Sequence, residues 1–107
     1  MSNPLKVQII KRARALIEDE RHWCRNELAR DANGRSLDPT DRSAARRCGL
    51  GAVIAAAYEI TNDHRCAQDL AIGALRLTCG SSTLVNVNDT RGHAAVLALF
   101  DEVLAVN

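Results

Sequence analysis

Apolar residues recur at helical spacing along most of the chain, with polar residues filling the positions between. Leu5, Ile9, Ala13 and Leu16, with Ile10 and Ile17 beside them, mark one face, while Lys6, Lys11, Arg12 and Arg14 occupy the other. Pro4 suits a first helical turn, so an amphipathic helix is expected over about 4–18. The periodicity then stops over 19–38. Asp31-Ala32-Asn33-Gly34 is a turn signal, because Asn and Gly tolerate positive φ. Trp23 to Ala29 reads either as an extended arm that folds back through Arg35 to Leu37 or as a short helix with Cys24 and Leu28 four apart. The turn favours an irregular or hairpin-like excursion.

Asp38 next offers a cap, Pro39 fits the first helical position, and Asp41 falls three residues after the cap. A long helix is expected over about 39–61. It opens on Arg42, Arg46 and Arg47 and continues through Cys48-Gly49-Leu50-Gly51-Ala52-Val53-Ile54-Ala55-Ala56-Ala57, which is apolar all round. A helix without a polar face is buried and central. Gly49 and Gly51 each cost it about 1 kcal/mol in propensity. Cys48, Gly51, Ala52 and Ala55 offset that as a small-residue face on which another helix sits closely. Thr61-Asn62-Asp63 is a break and a new cap. Ala67, Leu70, Ala71, Ala74 and Leu75 give a third helix to about Thr78, closed by Gly80. Ser81 to Asn88 reads as a connector with an extended stretch at Leu84 to Val87. Asp89 or Thr90 then caps a last helix striped by Val96, Leu97, Phe100, Val103 and Leu104. The expected fold class is all-α: four main helices in a compact array around the helix of 39–61, as one domain over 1–107. Loops of very unequal length argue against an up-down bundle.

Composition changes this picture in one respect. Aromatic residues are 3% of the chain, within a 47% apolar share, so Trp23, Tyr58 and Phe100 stand alone in a core of Ala, Leu, Ile and Val. Net charge is +1, too small to mark a nucleic-acid or membrane binder by itself. Its distribution is uneven: residues 1–47 hold 11 Lys or Arg against 7 acids, and residues 48–107 hold 3 against 6. The basic half suits a phosphate backbone or an acidic partner, or the two halves attract one another in a dimer. The N-terminus lacks the unbroken apolar stretch of a signal peptide. The longest apolar run, Cys48 to Tyr58, is well short of the roughly 20 residues that span a bilayer. Four scattered cysteines (Cys24, Cys48, Cys66, Cys79) read as reduced thiols in a cytoplasm.

Little in the chain carries chemistry. His22-Trp23-Cys24 and His64-Arg65-Cys66 form two His-x-Cys pairs, but zinc signatures space paired ligands more widely, so neither metal nor cofactor is expected. No spacing selects a nucleophile with a base and an orienter, and there is no phosphate-cradling glycine loop. The residues with binding potential are Trp23, a hot spot if exposed and an anchor if buried, the arginines Arg42, Arg46 and Arg47, and Asn88-Asp89, with Arg91 and His93 nearby. Binding without catalysis follows, to a protein partner or to itself as a homodimer. A nucleic-acid binder using the arginine patch is the first rival, and a ligand- or metal-binding protein or enzyme centred on the Cys, His and Asn88-Asp89 residues the second.

Trp23 with Ala29-Arg30-Asp31 and Gly34, then Cys48-x-x-Gly51-Ala52, then Asn88-Asp89 ahead of an apolar helix, occur in an order and spacing that resemble a family of small bacterial and phage proteins, domain of unknown function 6197. The resemblance covers about residues 5–105. Members usually carry Trp just before Asn-Asp, where this chain has Val87, and often Gly before the first Trp, where it has His22. The resemblance implies a shared helical fold and no known activity.

Overall fold

The computed structural model describes residues 4–77 and 80–106. Among them run five α-helices, α1 (Pro4–Ile17), α2 (Gly49–Thr61), α3 (His64–Leu75), α4 (Ser81–Arg91) and α5 (His93–Val106), a 3₁₀ turn at Glu20–His22, and two short strands, β1 (Ala29–Arg30) and β2 (Arg46–Arg47). Helix α1 buries Ile9, Ile10, Ala13 and Ile17, the stripe its spacing predicts. Helix α2 packs between α1 and α3 and also meets α4, and seven of its residues, nearly all small, are buried. It is the hub. Phe100 of α5 is fully buried in the same core, and Val96 and Leu84 lie against Gly49 at the start of α2. Asn62 ends α2 in the left-handed conformation, its N–H returning to the Tyr58 carbonyl, and Asp63 caps α3 by accepting from the N–H groups of Arg65 and Cys66. None of these helices is long and apolar enough to cross a membrane. Helix α3 ends at Leu75, short of the predicted end at about Thr78, which itself lies outside the described residues.

The hub begins ten residues later than its sequence predicts. Asp38 and Asp41 do accept from backbone N–H groups, but those of Thr40 and Ser43, closing two successive Asx turns instead of starting a helix. A helix over 39–48 would present mostly polar residues and bury little. Extended backbone there instead pairs with the excursion: β2 lies antiparallel to β1, with Ala29 opposite Arg47 and Arg30 opposite Arg46. Ala45 N–H donates to the Arg30 carbonyl, Cys48 N–H to that of Leu28, and Cys24 N–H to that of Arg47. The Asp31–Gly34 turn folds the chain back, bridging Arg30 to Ser36 with Leu37 N–H on the Ala29 carbonyl, so the hairpin-like alternative holds. Arg42, Arg46 and Arg47 therefore sit on this strap and not on a helix. The small face of α2 has a different occupant too. A methyl group on Gly51 would overlap the Leu28 carbonyl oxygen, so the strap's backbone lies there, where a neighbouring helix was expected.

The second correction concerns 81–91, which is helix α4 and not a connector. Its β-branched and Asn-rich sequence has weak helical propensity, yet Leu84, Val87 and Asn88, spaced three and four apart, are all buried against its neighbours. Asn88 and Asp89 thus lie within the C-terminal half of α4. The last helix is not capped by Asp89 or Thr90: Gly92, at φ 96°, makes the break, and Val96 N–H returns to its carbonyl.

Candidate functional site

The strap is pinned to the helices at one buried polar point. Asn88 has no solvent exposure and is the sole buried polar side chain among the described residues. Its Oδ1 accepts from Trp23 Nε1–H at 2.7 Å and from Gly49 N–H at 2.9 Å. Its Nδ2 donates to the Cys24 carbonyl at 3.1 Å and to Asp89 Oδ1 at 2.9 Å. Asp89 Oδ1 in turn accepts from the N–H of Asn26, whose φ of 69° turns the strap. Trp23 is 8% exposed, with the Arg25 guanidinium 5.2 Å from its ring centroid and the His93 ring tilted against it at 5.6 Å. His93 Nε2 must carry its proton, because it meets the Ile17 carbonyl oxygen at 2.6 Å and a carbonyl only accepts. Three of the predicted binding residues, Trp23, Asn88 and Asp89, are thereby brought together, with every polar side-chain atom of Asn88 engaged inside the protein.

Two thiols here, those of Cys24 and Cys48, are buried. Burial pushes Cys24 up to about 11, with nearby Cys48 adding to the effect, and burial also raises Cys48. Cys48 Sγ accepts from Gly51 N–H and so caps α2. Cys66 is exposed in the first turn of α3, and His64 stacks on Tyr58 at 4.2 Å. Among the described residues no three His, Cys, Asp or Glu side chains gather as a metal site requires. Cys79 lies outside them.

The arginine patch is divided. Successive strand residues point to opposite faces, and Arg47 lines a cleft with Arg42 whereas exposed Arg46 lies with Arg30 toward Cys24. Arg12 and Arg14, from the basic half of the chain, reach carboxylates of the acidic half: Arg12 grips Glu59 at 2.7 and 3.2 Å, and Arg14 meets Asp101 at 2.6 Å. The charge asymmetry is in part balanced within one chain.

A surface that the sequence reading passed over lies on α3. A groove of about 410 Å³ runs between α2, α3 and the Pro39 turn, with Leu50, Ile54, Ala71 and Leu75 in its lining. Leu28 and Ile72 stand at its edge, 39% and 48% exposed. Asp69 in α3 and Arg76, the residue that caps its C-terminus in a helical conformation, are exposed, lie three and four residues on either side of Ile72, and make no ion pair among the described residues. In the sequence Asp69, Ile72 and Arg76 follow an i, i+3, i+7 spacing, apart from the core stripe of Ala67, Leu70, Ala71, Ala74 and Leu75.

Residues 1–106 match the model of a family described as a family of unknown function, DUF6197. No curated protein and no solved structure matches the chain.

Proposed function

The chain belongs to the DUF6197 family, whose function is unknown, and from that premise we propose that it is a binding module without chemistry of its own, acting in a cytoplasm by pairing with a second copy of itself through α3. The observation that carries this reading is the arrangement around Ile72. Asp69 and Arg76 bracket a midpoint at Ile72–Gly73, so a two-fold axis there sets Asp69 of each copy opposite Arg76 of the other. That is the self-complementarity an isologous interface needs. Two reciprocal charge-assisted pairs then flank an apolar centre of Ile72 and Leu28, side chains that a monomer leaves open to water. The raised thiols of Cys24 and Cys48, and the full engagement of Asn88 within the fold, support binding over catalysis.

Light scattering on the purified protein tests it. A dimer is expected, and Ile72→Glu, which sets a charge at the apolar centre, should weaken association roughly a hundredfold or more. Unchanged association of Ile72→Glu would remove α3 from the interface.

A further inference from the structure

A second site lies away from α3, where the Pro39–Arg42 turn and β2 meet the C-terminal half of α2. The cleft there has a volume of about 240 Å³, and Arg42, Arg47, Tyr58 and Asn62 are in its lining. Arg47 is half-buried. Its Nε donates to the Pro39 carbonyl at 2.8 Å, and among the described residues no carboxylate lies within ion-pair distance of it. Its two terminal NH₂ groups have no partner among the described residues, yet no sealed side-chain nitrogen there is left unsatisfied. Those groups therefore reach solvent, and the side chain that carries them lines the cleft. Burial draws this guanidinium below its usual value, with Glu59 nearby opposing the effect and Arg12 adding to it.

The carboxylates of the cleft are already engaged. Glu59 is held in a two-point grip by Arg12, and Asp41 accepts from Ser43 N–H. Within the lining, Arg42 and Arg47 balance Asp41 and Glu59, and Arg12, which grips Glu59 from outside the cleft, adds one positive charge. The Thr40 hydroxyl donates to Asp38, but the Tyr58 hydroxyl and the Asn62 amide have no hydrogen-bond partner among the described residues.

We propose that this cleft binds a single oxyanion group, a phosphate or a carboxylate, with Arg47 as its forked donor, Arg42 as the second cation, and Tyr58 and Asn62 as neutral donors. A guanidinium fork matches either group through two parallel hydrogen bonds. The inference is independent of the α3 interface.

Amide chemical shifts of the labelled protein, followed during separate titrations with inorganic phosphate and with acetate, test it. The expected result is saturable change confined to residues around 39–42, 47 and 58–62 with at least one anion at millimolar concentration. Which anion saturates first distinguishes the phosphate source from the carboxylate source. Arg42→Ala, at an exposed side chain that makes no hydrogen bond or ion pair among the described residues, should weaken binding roughly tenfold, and Arg47→Gln should abolish it. Three results would overturn the proposal: no saturation with either anion, binding indifferent to Arg42→Ala, or response only to a short single-stranded oligonucleotide with shifts spreading to Arg30 and Arg46.

Discussion

Asn88 has two donor hydrogens and two principal acceptor sites, and inside an apolar core each must find a partner or cost free energy. It finds four: Trp23 Nε1–H, Gly49 N–H, the Cys24 carbonyl and Asp89. Three of these belong to other parts of the chain, so a single side chain ties the strap, the start of α2 and the body of α4 together. Removing it strands two donors and a carbonyl where water reaches poorly. At about 1–3 kcal/mol for each buried group left unpaired, with some relaxation, Asn88→Ala is expected to destabilise the protein by about 3–4 kcal/mol in chemical denaturation. Trp23→Phe, which loses one of the four bonds and keeps most of the ring, should cost less than half as much. The pair Asn88-Asp89 stands out in the sequence, but an Asx pair before an apolar run is the signature of a helix cap. What makes Asn88 a buried tie is Trp23, 65 positions earlier, and no local pattern reports a contact at that separation.

At the scale of elements the same limit recurs, and local signals lose wherever a distant partner decides. Asp38-Pro39 has every mark of a helix start, yet the backbone of 45–48 bonds to Cys24, Leu28 and Arg30, and α2 waits for Cys48. In α4 the reverse happens: propensity is weak, and burial of Leu84, Val87 and Asn88 imposes the helix. Helices α1, α3 and α5 were legible because their own stripes build the core, as were the turn at Asp31–Gly34 and the cap at Asp63. Gly51 was legible as a close approach, though not what approaches. Gly51→Ala drives a methyl group into the Leu28 carbonyl, a rigid backbone atom, and should cost about 3 kcal/mol of stability. Gly34→Ala is the comparison. At φ 84° with open space around it, only backbone strain is added, about 1 kcal/mol. Thermal or chemical unfolding of the two variants side by side separates collision from strain; equal losses would mean that Leu28 does not press on α2.

For the whole molecule, net charge of +1 conceals a division that the fold uses. Arg12 and Arg14 close onto Glu59 and Asp101, joining the basic and acidic halves within one chain, while Asp69 and Arg76 remain open around exposed Ile72. Exposed ion pairs contribute little each, so the internal pairs orient more than they stabilise. On α3 the same charges have a different consequence, because reciprocal pairing across a two-fold axis makes one copy the complement of another. Sedimentation of Asp69→Arg, Arg76→Asp and the double variant tests this most directly. Each single variant sets like charges face to face and is expected to be monomeric where the unaltered protein is a dimer, and the double variant, with its charges exchanged, should recover the dimer. A monomeric parent protein, or single variants that associate as well as it does, would contradict the account.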